Sequence, residues 1–173
     1  MLRLVVILAG VLLVAGCTSA GTGGEAAAAA GPPRAAQAAG AALAFAAHSD
    51  PEVAVVDGYA ALPPAVQRGE QPIDLVRGHA DPCARRPGRR FTAAERDAIG
   101  GAFHGRSVRF VADPAAALRA RRAGALVLAT APPLLAGRRG TVMVVSCVPG
   151  PQQVLVNVEW DGHAWRVVPT AAG

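Results

Sequence analysis

The closing segment of the chain restricts the fold most. Val154, Val156, Val158 and Trp160 alternate strictly with Leu155, Asn157 and Glu159, the period-two pattern of a strand with two unlike faces. Asp161-Gly162 follows, a dipeptide that favours a two-residue hairpin turn, and the alternation resumes over His163 to Val168. A type I′ turn at Asp161-Gly162 predicts Trp160 opposite His163, Val158 opposite Trp165 and Val156 opposite Val167. Every apolar member of that set then falls on one face. Ala125 to Thr130 and Thr141 to Cys147 also read as strands, so the last fifty or so residues predict antiparallel sheet.

Upstream, helix signals appear. Thr92 followed by Glu95 forms a capping box, and Ala98, Ile99, Ala102 and Phe103 share a helical face. Gly100-Gly101 weakens this helix and Gly105 ends it. Ser107 to Val111 reads as a strand. Asp113-Pro114 opens a second helix over Ala115 to Ala123. Between Asp50 and Leu62 two readings stay open: a helix opened by Asp50-Pro51, or a strand built on Val53, Val55 and Val56. Ile73 to Val76 is a further short strand candidate. The expected fold class is α+β, with short helices packed on an antiparallel sheet of about four strands that ends in a β-meander.

The N-terminus addresses location. Arg3 precedes an apolar run, Leu4 to Ala15, too short for the ~20 residues that span a bilayer but suited to a secretory signal. The run ends in Val14-Ala15-Gly16-Cys17, which resembles the lipobox of bacterial lipoproteins. The resemblance implies removal of residues 1–16, a diacylglyceryl thioether on Cys17, acylation of its amino group, and an extracytoplasmic protein held to the membrane by lipid. Residues 17–40 are almost wholly small or polar and read as a tether, with a reach of roughly 30 Å. Residues 41–173 are then left for one small domain.

The chain has 173 residues, seventeen Arg and no Lys, and a net charge of +5. For an extracytoplasmic protein this favours anionic lipid or wall polymer as a contact over nucleic acid. Aromatic residues are scarce, at 4%, so the core must rest on aliphatic side chains and a few anchors. With Cys17 lipidated, Cys83 and Cys147 remain, and an even pair in an oxidising compartment reads as one disulfide. The closed loop of about 64 residues would contribute about 4 kcal/mol in the chain-entropy account. The Pro-Cys loop, the F-T-x-x-E helix start, the V-R-F-V strand and the closing W-D-G-x-x-W-R-V hairpin are similar to small envelope lipoproteins of GC-rich bacteria with no assigned activity.

The sequence carries no nucleophile elbow, zincin motif, P-loop or dinucleotide fingerprint, so neither a cofactor nor a metal is expected. His79, Asp81, Cys83 and Cys147 include zinc-ligand types, but a thiolate site needs the cysteines reduced, and the disulfide reading is preferred. His163 beside Asp161 could be drawn as a base with its orienter; packing of the imidazole on Trp160 is the simpler reading. His48 and His104 stand at caps or turns without evident partners. Arg85, Arg86, Arg89 and Arg90 form a dense basic loop that could bind anions or keep an Ala-rich domain soluble. The expected function is a lipid-anchored, non-enzymatic envelope domain that binds a partner, the partner itself being unknown. The alternative is an envelope hydrolase with its site between helices and sheet, which must gather at least two of His79, Asp81, Glu95, His104, Asp161 and His163 in one pocket.

Overall fold

A run of four apolar residues, Val53-Ala54-Val55-Val56, is buried on both sides, which settles the open segment as a central strand of a sheet covered on both faces. The computed structural model describes residues 34–48, 50–71, 86–147 and 152–168. In chain order these form α1 (Arg34–Ala46), β1 (Val53–Tyr59), α2 (Pro64–Gln67), α3 (Ala93–Gly101), β2 (Val108–Val111), α4 (Pro114–Arg122) and β3 (Leu126–Thr130). Then come β4 (Leu134–Ala136), β5 (Arg139–Ser146), β6 (Gln152–Trp160) and β7 (Trp165–Val168). The candidate strand at Ile73 lies outside the described residues.

Helices on a sheet are present as expected, but the sheet differs. Among the described residues it has seven strands, in the order β2-β1-β3-β5-β6-β7, with β4 paired to β5 beside β3. It is mixed: β1 pairs in parallel with β2 and β3, and the remaining pairs are antiparallel. Parallel neighbours need a crossover between them, and α3 and α4 supply the two crossovers. The expected four-stranded antiparallel sheet therefore accounts only for the C-terminal part, in which β5, β6 and β7 do form a meander.

Strand alternation distributes the core between the two faces. Val53, Val55, Leu128, Val142, Val144, Val156 and Val158 pack with α1 and α3 through Leu43, Ile99 and Phe103. Ala54, Val56, Val127, Ala129, Met143 and Val145 pack with α4 through Ala117 and Ala120, and with α2 through Val66. The helix starts follow their sequence signals. Thr92 accepts from the Glu95 amide while the Glu95 carboxylate accepts from the Thr92 amide, and Asp113 accepts from the Ala116 amide.

Helix α1 revises the domain boundary. Residues 34–40, assigned by composition to the tether, are helical, and Ala36, Ala38, Ala39 and Gly40 are buried. Their small size is what the packing uses: a Cβ on Gly40 would stand 2.9 Å from the Ile99 Cα and 3.1 Å from the Ala102 Cβ. An Ala-Gly helix can thus lie against α3 at backbone distance, so a composition that suggests a solvated linker here serves close helix contact.

The hairpin face is as expected and its register is not. Val156, Val158 and Trp165 are buried, with Trp160 and Val167 packed against the same cluster. However, Trp160 pairs with Trp165 and Val158 with Val167, two positions from the expected register. The cause is Asp161, whose carboxylate accepts from the His163 and Ala164 amides at 2.8 and 2.9 Å. This local turn lengthens the connection to 161–164, and a shift of two leaves every side chain on its face. The indoles of Trp160 and Trp165 lie 5.8 Å apart, and the Arg34 guanidinium sits 5.3 and 5.7 Å from their ring centres, an arrangement favourable for cation–π attraction. Glu159 and Arg166 are cross-strand partners by register, yet Glu159 pairs with Arg139 and Arg166 with Asp161.

Trp165 is 6% exposed. Trp165→Ala is expected to cost about 3–5 kcal/mol, whereas Glu159→Ala, on the solvated face, should change stability by less than about 1 kcal/mol. Thermal melts of the two variants beside wild type check this. Equal melting temperatures for Trp165→Ala and wild type would place the core elsewhere.

Candidate functional site

Among the described residues, two places bring chemistry-bearing side chains together. The first is the carboxyl end of β1. β2 and β3 lie on opposite sides of β1, reached by crossovers on opposite faces, and ligand crevices in α/β sheets form where connections diverge in this way. Here the space is occupied by the protein. Gly58 has φ 148°, and the Arg89 carbonyl oxygen and the Pro87 ring stand where a Cβ would project. Only glycine admits that approach without displacing the 86–90 segment.

Two bidentate ion pairs fasten this corner. Arg96 on α3 donates to both Asp57 oxygens at 2.9 and 3.0 Å. Arg89 donates to both Glu95 oxygens at 2.8 Å. Glu95 also accepts from the Thr92 amide and hydroxyl at 2.8 and 3.0 Å. The Arg89 guanidinium first, and the Thr92 bonds after it, hold the Glu95 carboxyl down at about 2, against the opposing effect of burial. Burial, aided by the Glu95 charge, pushes the Tyr59 hydroxyl up to about 12, and its oxygen has no hydrogen-bond partner. Tyr59 and Phe91 meet edge to face at 4.9 Å.

The expected anion-binding loop is therefore divided. Arg89 is committed to Glu95, Arg86 and Arg90 are exposed, and Arg85 lies outside the described residues. Glu95, considered above as an acid or base, is tied down as a helix cap. His79, Asp81 and Cys83 also lie outside the described residues. Cys147, the other half of the expected bridge, follows β5 and is fully buried.

The second place is a groove of about 710 Å³ between α1, the end of α3 and the β7 hairpin. Its floor is apolar, formed by Ala41, Ala44, Ala98, Ala102, Trp165 and Val167, with the half-exposed Phe45 at its side. Its polar rim carries His104, Arg106, His163 and Arg166, together with Gln37, and no carboxylate lines it. The groove thus unites His104 and His163, two of the residues considered from the sequence. It does not unite them with Glu95. Asp161, near His163, bonds that residue's amide and pairs with Arg166; it does not orient the imidazole. Bonds from the Ala164 and His163 amides, then Arg166, hold the Asp161 carboxyl down at about 2.

Arg106 had no distinguishing signal in the sequence, and it shapes this groove. Its guanidinium donates to the His48 carbonyl at 2.6 Å, the Ala44 carbonyl at 3.3 Å and the Phe103 carbonyl at 3.5 Å. It therefore caps the C-terminal ends of α1 and of the α3 turn together, where a cation also meets the favourable end of the helix dipole. His48 and His104 both adopt left-handed backbone, φ 45° and 48°, at these same helix ends.

Among the described residues no helix is long and apolar enough to cross a membrane, and no group of three metal-ligand side chains occurs. No protein-family model matches the chain, and neither a curated protein nor a solved structure matches it.

Two experiments test the β1 corner. Asp57 is 4% exposed and Arg96 40%, so the pair is asymmetric. Arg96→Ala strands a buried carboxylate and should cost about 3–5 kcal/mol; Asp57→Asn leaves a guanidinium that reaches water and should cost less. Urea unfolding of the two variants gives the order. Glu95 has a folded-state value below its ordinary 4.5, so its contribution is complete above pH 4.5 and is lost as pH falls toward about 2. Melting temperature against pH should decline over that window in wild type and more gently in Glu95→Gln.

Proposed function

We propose that this protein is a lipid-anchored, extracytoplasmic envelope protein whose folded domain is a non-enzymatic binding module, with the α1–α3–β7 groove as its binding site. The observation that carries the binding reading is the groove's lining: an apolar floor under a basic rim. That combination of hydrophobic walls with a few polar groups is the usual make-up of a small-molecule site, and the volume is within the usual ~300–1,000 Å³. The carboxylates nearest to acid–base use, Glu95 and Asp161, are bound to arginine and main-chain partners, which supports binding over hydrolysis. The hydrolase alternative has one specific support, the presence of both His104 and His163 in the groove. Loss of ester hydrolysis in His104→Ala and His163→Ala would favour it.

The anchor rests on Val14-Ala15-Gly16-Cys17 and the residues around it. One acyl chain binds a bilayer marginally, but each buried CH₂ adds ~0.8 kcal/mol, so two or three chains hold firmly. Exposed Arg86 and Arg90 add a contact for anionic lipid or wall polymer. The bridge between Cys83 and Cys147 is supported by the even pair left once Cys17 is lipidated and by the burial of Cys147.

Cys17→Ser should leave the detergent phase in two-phase partitioning and lose the acyl mass on its N-terminal peptide. Membrane retention equal to wild type after a salt wash would overturn the anchor. Alkylation of the denatured, unreduced protein should label neither Cys83 nor Cys147; labelling of both would remove the bridge.

A further inference from the structure

We infer that the groove takes a free single-chain amphiphile with one acidic head group, a fatty carboxylate or an alkyl phosphate. This names the ligand class of the binding site proposed above and rests on that proposal. Two observations carry it. The floor is a strip of Ala methyls closed by the Trp165 ring and Val167, with no polar side chain in the strip to pair with a polar ligand body. The rim holds two guanidiniums and two imidazoles and no carboxylate. Asp161 pairs with Arg166 from outside the lining, whereas no carboxylate pairs with Arg106 among the described residues, so a positive edge remains at Arg106.

The residues divide the work by position. Phe45, Trp165 and the Ala strip exclude water from a hydrocarbon chain. The head group stays at the rim, where it exchanges part of its hydration for charge-assisted hydrogen bonds. A two-faced ligand of this kind gains from both parts only when they are joined, so a short-chain acid or a neutral long-chain alcohol should bind far more weakly than the amphiphile.

The full chain carrying Cys17→Ser is titrated with dodecanoate, dodecyl phosphate, dodecanol and dodecyltrimethylammonium, each below its micelle concentration. Binding is followed by tryptophan fluorescence and by native mass spectrometry for stoichiometry. Gly101 lines the groove, and neither it nor Gly100 has any atom within 4 Å of an added Cβ. Gly101→Leu therefore fills the groove, and Gly100→Leu, one residue away and outside the lining, is its matched control. The expected result is one dodecanoate or dodecyl phosphate per chain, at least tenfold tighter than the alcohol or the cation, weakened tenfold or more by Gly101→Leu and unchanged by Gly100→Leu. Arg106→Gln combined with Arg166→Gln should weaken the acids far more than dodecanol. Equal binding of the cationic and acidic amphiphiles, lost in Gly101→Leu, would overturn the acidic class while the groove remained a binding site. Acids that bind wild type and Gly101→Leu alike would place them elsewhere. Absence of binding by all four would end both this inference and the groove reading. Binding only to vesicles containing acidic phospholipid would replace the free amphiphile by a membrane surface.

Discussion

The layering of this domain depends on β1 being buried on both faces. A strand in that position cannot carry polar side chains along its length, and Val53-Ala54-Val55-Val56 carries none. Once it is central, it must have a neighbour on each side and a covering layer above and below. Two helical crossovers meet both requirements at once. The polar residue that does enter, Asp57, comes where the strand leaves the core, and Arg96 reaches it from α3, 39 residues later. Arg89 and Glu95 repeat the device one step outward. The corner where β1 ends is thus fixed by ionic geometry, and the interior is fixed by packing.

Much of the local structure was legible because its cause is local. Thr92 and Asp113 open their helices through hydrogen bonds that span three residues, and such bonds are written in neighbouring sequence. The alternation from Val154 to Trp160 names its own buried face. What was not legible depends on distant partners. An apolar run such as β1 gives no period by which to tell strand from helix, and the parallel half of the sheet follows only once that run is known to be a strand. Residues 34–40 look like linker because nothing within them shows that Ile99 and Ala102 will lie against Gly40. The hairpin register lies between these cases: the signal of Asp161-Gly162 was local, but the carboxylate of Asp161 bonded farther along the loop than a two-residue turn allows.

The groove was the least legible feature. Its walls come from α1, α3 and β7, separated by more than forty residues at each step, and no motif links them. His104 and His163 stood out only as isolated imidazoles, and Arg106 did not stand out at all. Conversely, the arginine loop that did stand out has Arg89 paired with the buried Glu95. Density of charge in a sequence marks where cations are, and only the fold tells which of them also hold the chain together.

The bonds of Arg106 to Ala44, His48 and Phe103 have a mechanical consequence. They join the ends of the two helices that wall the groove, so those walls cannot spread without breaking hydrogen bonds on a single guanidinium. A site made of mobile loops adjusts to its occupant; this one is braced like a gauge of set width. Under the binding role proposed above, selectivity would fall on molecular thickness and length, with branched or doubled hydrocarbon excluded by shape before charge is consulted.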